Sequence, residues 1–165
     1  MQTTKQQYIV IGISDDHEPE LLPEVRKVIV TGHVFSGGVR HREIMQPHLP
    51  QGAVWIDITV PLSDVFRQYA FHEQIIVFAS GDPLFFGFAN TLLREFPTAE
   101  LKLFPSFNSL QMLAHRLLLP YQDMRVVSLT GRPWLRFDQA LIEGEMLIGV
   151  LTDREKTPSV IARRM

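Results

Sequence analysis

Short apolar runs alternate with amphipathic stretches along the whole chain. Runs at Tyr8 to Ile13, His33 to Ser36, Val54 to Asp57, Gln74 to Ala79, Leu101 to Phe104, Arg125 to Leu129 and Met146 to Leu151 have the length and residue types of strands. Between them, Leu62, Val65, Phe66, Tyr69 and Ala70 recur at helical spacing, as do Phe88, Leu92 and Leu93, and Leu110, Leu113, Leu117 and Leu118. Strands alternating with helices of this kind predict βα units on a parallel-rich sheet, an α/β protein. Trp55 and the phenylalanines at helical spacing read as core, and His33, inside an apolar run, as a buried, hydrogen-bonded histidine.

A break is expected near Leu119 to Asp123, where an apolar helix gives way to a Pro-Tyr-Gln-Asp connection. Residues 1–120 then form an N-terminal α/β domain, and residues 121–165 the beginning of a second α/β domain. The chain stops at Met165 inside a helix that starts at Pro158, so this second part reads as truncated or as completed by another chain. No internal repeat is visible.

Composition narrows the functional classes. With 165 residues, 45% of them hydrophobic, there is enough material for a real core. Residues 1–110 carry eight Lys/Arg against twelve Asp/Glu, and residues 111–165 eight against six. No basic run is present to neutralise many phosphates, so nucleic acid is not an expected partner. Without cysteine there is no disulfide, no thiolate nucleophile and no Cys-type zinc site. The six histidines lack the short spacing of a metal motif, and no metal is expected. Tyr8 to Ile13 is too short for a signal peptide or a membrane span. The expectation is a soluble cytoplasmic protein with no membrane partner.

The strongest local motif is Ser80-Gly81-Asp82-Pro83-Leu84-Phe85-Phe86-Gly87, directly after a buried-looking strand. In open α/β sheets, ligands bind at the carboxyl ends of strands, where such a loop sits. Asp82 offers either a ligand-facing carboxylate or a turn-forming side chain, the plainer case being a strand-to-helix turn with Asp82 as its N-cap. Arg40, His41 and Arg42 form a short cationic group beside Gly37 and Gly38. They suit either substrate carboxylates or a solvated helix start. Arg132, next to Gly131 at a strand end, suits an anionic substrate group or pairing with a neighbouring acid.

The Ser80 to Gly87 motif resembles the S-adenosylmethionine loop of the tetrapyrrole (precorrin) methylase family. Further segments follow in the family's order. Pro105-Ser106-Phe107-Asn108-Ser109-Leu110-Gln111 looks like the loop and helix start that closes over the cofactor, and Ser128-Leu129-Thr130-Gly131-Arg132 is similar to the Ser-Leu-His-Gly-Arg segment of the branch that methylates ring carbon 5. Leu151-Thr152-Asp153 with Thr157-Pro158, and Ser36-Gly37-Gly38-Val39-Arg40-His41, also resemble that branch. The resemblance implies a two-domain methylase fold and S-adenosyl-L-methionine as cofactor, held by Gly12, Ser80, Gly81, Asp82, Phe85, Asn108, Ser109 and Leu151. Arg40 and Arg132 would meet a precorrin or cobalt-precorrin substrate. Methylation at carbon 5 follows, with carbon 15 added where a second methyltransferase is fused, in cobalamin biosynthesis. Family members commonly pair as dimers. The sulfonium methyl is electrophilic and a reduced tetrapyrrole carbon electron-rich, so no side-chain nucleophile is needed, and no catalytic base is identified.

The departures from the family are specific. Where it has a glycine-rich first loop, this chain has Gly12 followed by Ile13-Ser14-Asp15-Asp16-His17. Thr130 replaces a histidine, and Phe86 stands where tyrosine is frequent. The first loop and Thr130 keep one alternative open, a noncatalytic domain that retains the scaffold; the other is another superfamily member, acting on a different ring carbon, on the diphthamide precursor or, against the chain's acidic body, on ribosomal RNA.

Overall fold

The computed structural model describes residues 5–14, 16 and 18–165. Contacts divide them into two compact units, the first ending at Asn108 and the second running from Ser109 to Met165.

In the first unit, five strands lie parallel in the order β3-β2-β4-β1-β5. They are β1 (Gln7–Ile13), β2 (Val34–Gly37), β3 (Val54–Asp57), β4 (Gln74–Ser80) and β5 (Glu100–Phe104). The near-continuous apolar runs occupy the middle. A strand covered on both faces needs apolar residues at every position, and β1 and β4 supply them. Tyr8 and Val10 of β1, with Ile75, Val77 and Ala79 of β4, pack on one face against Val65 and Tyr69 of α3 (Leu62–Tyr69) and Leu92 of α4 (Ala89–Glu95). Ile9, Ile11, Ile13, Ile76 and Phe78 pack on the other. There they meet Val25 and Ile29 of α1 (Pro23–Thr31) and Ile44 and Met45 of α2 (Val39–Met45). The edge strand β5 keeps Glu100 and Lys102 exposed, and Lys102 reaches Glu24 at 2.8 Å. Charge on an edge discourages pairing with a further strand.

One polar chain crosses the α3 face. Tyr69 donates its hydroxyl proton to Ser36 Oγ at 2.6 Å, and Ser36 donates to the Ile56 carbonyl at 2.7 Å. Burial pushes the Tyr69 phenol up to about 12. Among the described residues the fully buried hydroxyl of Tyr8 has no hydrogen-bond partner, and burial, with the neighbouring Tyr69, raises its pKa as well.

The second unit contains α5 (Ser109–Leu117), β6 (Arg125–Ser128), α6 (Leu135–Ile142), β7 (Ile148–Leu151) and α7 (Pro158–Arg164), with β6 and β7 parallel. Val127, Leu129, Phe137, Ala140 and Ile161 form its core. The division falls at Asn108 and Ser109, earlier than the expected 119–123, because α5 packs within this unit. A methyl group added to Gly149 of β7 would come within 2.9 Å of Leu110 Cδ1.

Three local expectations are corrected. His33 is exposed, standing one residue before β2 at the rim of the sheet, where its carbonyl accepts the Val54 N–H at 2.8 Å. In α5 the buried pair is Leu110 and Ala114, while Leu113 and Leu117 are exposed. Leu118 lies past the helix in a left-handed conformation with φ 50° and is 90% exposed. Trp55 is half-buried, stacked 6.0 Å from Phe78. No helix among the described residues is long and apolar enough to cross a membrane.

The tyrosines give a test by substitution and by pH. Tyr69→Phe should cost about 1 kcal/mol in urea unfolding, through the lost bond to Ser36, whereas Tyr8→Phe removes an unsatisfied buried hydroxyl and should be neutral or stabilising. A raised phenol pKa means the folded state holds the proton more tightly than the unfolded one. The stability from Tyr69 is therefore fully present below the ordinary value of 10.0 and is lost as pH rises from there through about 12. A wild-type unfolding midpoint that stays flat across this window would contradict the assignment.

Candidate functional site

β1 and β4 are neighbours in register, with Gly12 opposite Ala79 and Ile13 opposite Ser80. From β1 the chain continues to α1, and from β4 to α4. Those helices cover opposite faces of the sheet. Adjacent parallel strands whose connections diverge in this way mark a topological switch point, where open α/β sheets receive ligands.

Backbone contacts fasten the strand ends here. The Gly81 N–H donates to the Ile13 carbonyl at 2.9 Å, and the Ser106 N–H donates to the Gly81 carbonyl at 3.1 Å. A side chain at Gly12 would run into the Gly81 carbonyl oxygen and stand 2.8 Å from the Ser106 nitrogen. Gly81 itself has φ 62°, and a Cβ there would lie 2.8 Å from the Phe107 oxygen and 2.9 Å from Asn108 Cα. The segments after β1, β4 and β5 thus meet only because both positions lack side chains. Asn108 is buried beside Gly81, while Ser109 opens α5 in the second unit.

The loop after β4 folds onto itself. Asp82 Oδ1 accepts the Leu84 N–H at 2.8 Å, the Phe85 N–H reaches the Asp82 carbonyl at 3.1 Å, and Asn90 Nδ2 donates to the Leu84 carbonyl at 2.8 Å. Asp82 closes a turn, as its residue type suggested, but because α4 begins only at Ala89 it does not cap the helix, which corrects the N-cap expectation. Phe85 is half-buried and meets the exposed Phe86 edge to face at 5.2 Å. Phe86 has φ 54°, an uncommon conformation for an aromatic residue and one that clusters at ligand-binding loops. Ser14 donates to Asp16 at 2.8 Å in the loop after β1, whereas Asp15 and His17 lie outside the described residues.

A pair not singled out in the sequence stands beside this loop. His41 Nε2 is 3.0 Å from Ser80 Oγ, and His41 Nδ1 accepts the Gly38 N–H at 3.2 Å. Gly37 makes room for it, since a Cβ there would lie 2.9 Å from His41 Cβ and 3.1 Å from Trp55 Cζ2. Arg42 pairs with Asp57 at 3.3 Å, and Asp57 accepts the Trp55 indole N–H at 2.8 Å, tying α2 to β3. Arg40 is exposed in the first turn of α2. The sequence marked His41 only as part of a cationic group and Ser80 only as part of the loop motif, and nothing there revealed that β4 would bring the two together.

In the second unit, Arg132 Nη1 donates to Ser128 Oγ at 2.9 Å and to the Thr130 carbonyl at 3.1 Å. Thr130 donates to the Thr152 carbonyl at 3.1 Å, and the Leu151 carbonyl accepts the Leu129 N–H at 2.9 Å. Asp153 accepts the N–H groups of Lys156 at 2.6 Å, Gly131 at 3.0 Å and Glu155 at 2.9 Å, which hold its carboxyl down to about 2. Charge-assisted bonds of this kind lock the segments that follow β6 and β7 together.

No family model matches the chain. A precorrin-6Y C(5,15)-methyltransferase (decarboxylating) from Sinorhizobium is 35% identical over 127 residues, covering 75% of this chain and 30% of that protein. A cobalt-precorrin-7 C(5)-methyltransferase from Salmonella typhimurium is 31% identical over 157 residues, covering 94% of this chain and 76% of the relative. Among solved structures, the methyltransferase CobJ superposes with a TM-score of 0.71 at 18% identity, over 96% of this chain and 76% of its own. The precorrin-6Y methylase of Archaeoglobus fulgidus gives 0.63 at 18% identity, over 90% and 73%. At that identity the structures speak for the fold alone, and the sequence relatives carry the assignment: the chain belongs to the family of precorrin and cobalt-precorrin C5-methyltransferases.

Proposed function

We propose that this chain binds S-adenosyl-L-methionine at the switch point of the first unit and takes part in methyl transfer to carbon 5 of a precorrin or cobalt-precorrin. The observation that carries the reading is the meeting of the segments after β1, β4 and β5 around Gly12, Gly81 and Ser106, in a chain whose relatives are C5-methyltransferases. The residues present suit the cofactor's chemistry. Asp82 offers a carboxylate for its cationic groups, Ser80 a hydroxyl, and the turn from Leu84 to Phe86 an apolar edge for its adenosine.

When bound, the cofactor supplies an electrophilic methyl group, and the protein's part is placement. Gly12 and Gly81 hold the strand-end backbones together, so the loop carrying Ser80, Asp82 and Phe85 springs from a fixed base. Asn108, Ser109 and Leu151 are further cofactor-facing candidates. Arg40 and Arg132 are the candidates for substrate carboxylates, since a guanidinium offers paired donors. Thr130 replaces the family's histidine and has its hydroxyl proton engaged by Thr152, so the reading assigns it no proton transfer.

Three measurements check this reading. Incubation with S-adenosylmethionine and cobalt-precorrin-7 should yield a product heavier by one methyl group in mass spectrometry. An unaltered tetrapyrrole would oppose catalysis by this chain. Asp82→Asn keeps an oxygen to accept the Leu84 N–H and should leave stability unchanged, while weakening S-adenosylhomocysteine binding by about 1 to 2 kcal/mol. Equal affinity in the two proteins would remove the charge of Asp82 from the account. Gly12→Ala forces the Gly81 carbonyl away and should destabilise the fold by about 1 to 3 kcal/mol in urea. A neutral result there would mean that the strand ends do not depend on this close approach.

A further inference from the structure

We infer that His41 is a positioning residue for the cofactor site, acting through Ser80 and resting on the cofactor reading above. The Gly38 N–H can only donate, so Nδ1 of His41, 3.2 Å away, presents its lone pair. A neutral imidazole then carries its proton on Nε2, which faces Ser80 Oγ at 3.0 Å. A serine hydroxyl has one proton and two lone pairs. With one lone pair taken by His41, the Ser80 proton is turned toward another acceptor, which we assign to an acceptor atom of the bound cofactor.

Ser80 is exposed at the carboxyl end of β4, next to Gly81 at the switch point. Its partner is firmly placed. Gly37 and Gly38 fit His41 from the end of β2, and the Arg42, Asp57 and Trp55 chain holds the same helix against β3. A hydroxyl held in one rotamer before the ligand arrives loses less entropy on binding than a free rotor. Within the Arg40, His41 and Arg42 group, the central member therefore acts as a neutral donor and not as a cation.

The test is calorimetric titration of S-adenosylhomocysteine into the wild type, His41→Ala, Ser80→Ala and the double variant. Each single change should weaken binding by about three- to tenfold, the size of one lost hydrogen bond. The double variant should lose no more than the weaker-binding single, because both remove the same interaction. His41→Gln, whose amide can still donate to Ser80, should recover most of the affinity. Additive losses, or unchanged affinity in His41→Ala while the wild type binds, would overturn this inference and leave the cofactor reading intact. Absence of binding by the wild type would overturn both. Should the alanine variant not fold, nitrogen-15 spectra of wild-type His41 decide independently: a protonated Nδ1 is incompatible with the arrangement, and a protonated Nε2 whose signal shifts in Ser80→Ala supports it.

Discussion

Three segments that leave the sheet at the same end must come within hydrogen-bonding distance of one another, and that requirement governs the first unit. Gly81 donates its N–H to the carbonyl of Ile13 and accepts the N–H of Ser106 at its own carbonyl. Any side chain at position 12 would occupy the place of the Gly81 oxygen, and one at position 81 would press on the backbone of Phe107 and Asn108. Buried backbone polar groups that lose their partners cost about as much as a lost hydrogen bond each. The two glycines thus set how closely the strand ends can meet, and through that the position of every residue on the loop after β4.

Burial supplies the rigidity behind this junction. β1 and β4 are apolar on both faces and covered by helices on both, so their ends cannot shift without disturbing two cores at once. The loop inherits a stable base yet contains a left-handed Phe86 and a turn closed by its own Asp82. Strain of that kind persists only where surrounding structure enforces it. On the neighbouring side, α2 delivers His41 to Ser80 through Gly37 and Gly38. Residues far apart in sequence, from the ends of four strands, become one local surface.

Much of the architecture was legible because period and burial agree. Runs such as Tyr8 to Ile13 and Ile75 to Ala79 are apolar almost throughout, which suits doubly covered strands, and β3 has the predicted limits of Val54 and Asp57. Helix α1 was harder to see, since its buried face consists of just Val25 and Ile29, although Pro23 in its first turn marks its start. The leucines of α5 misled because a helix buries those residues its neighbours cover, here Leu110 and Ala114, whatever the hydrophobicity of the rest. The Gly81 and Asp82 loop was found from its place after a strand and from its resemblance to the family. The turn closed by Asp82 follows from the same residue types, but the expected helix cap does not, because helix α4 starts only at Ala89. The partnership of His41 with Ser80 depends on β2 lying beside β4, a pairing that strand periodicity does not encode.

In the proposed function, the junction of Gly12, Gly81 and Ser106 is the base of the cofactor site. Backbone amide chemical shifts followed by two-dimensional NMR during titration with S-adenosylhomocysteine test it most directly. Within the first unit, the largest shifts should fall at the ends of β1, β4 and β5, at Ile13, Ser80 to Gly87 and Ser106 to Asn108. Saturable shifts that leave these residues unmoved, or no saturable shift at all, would contradict it.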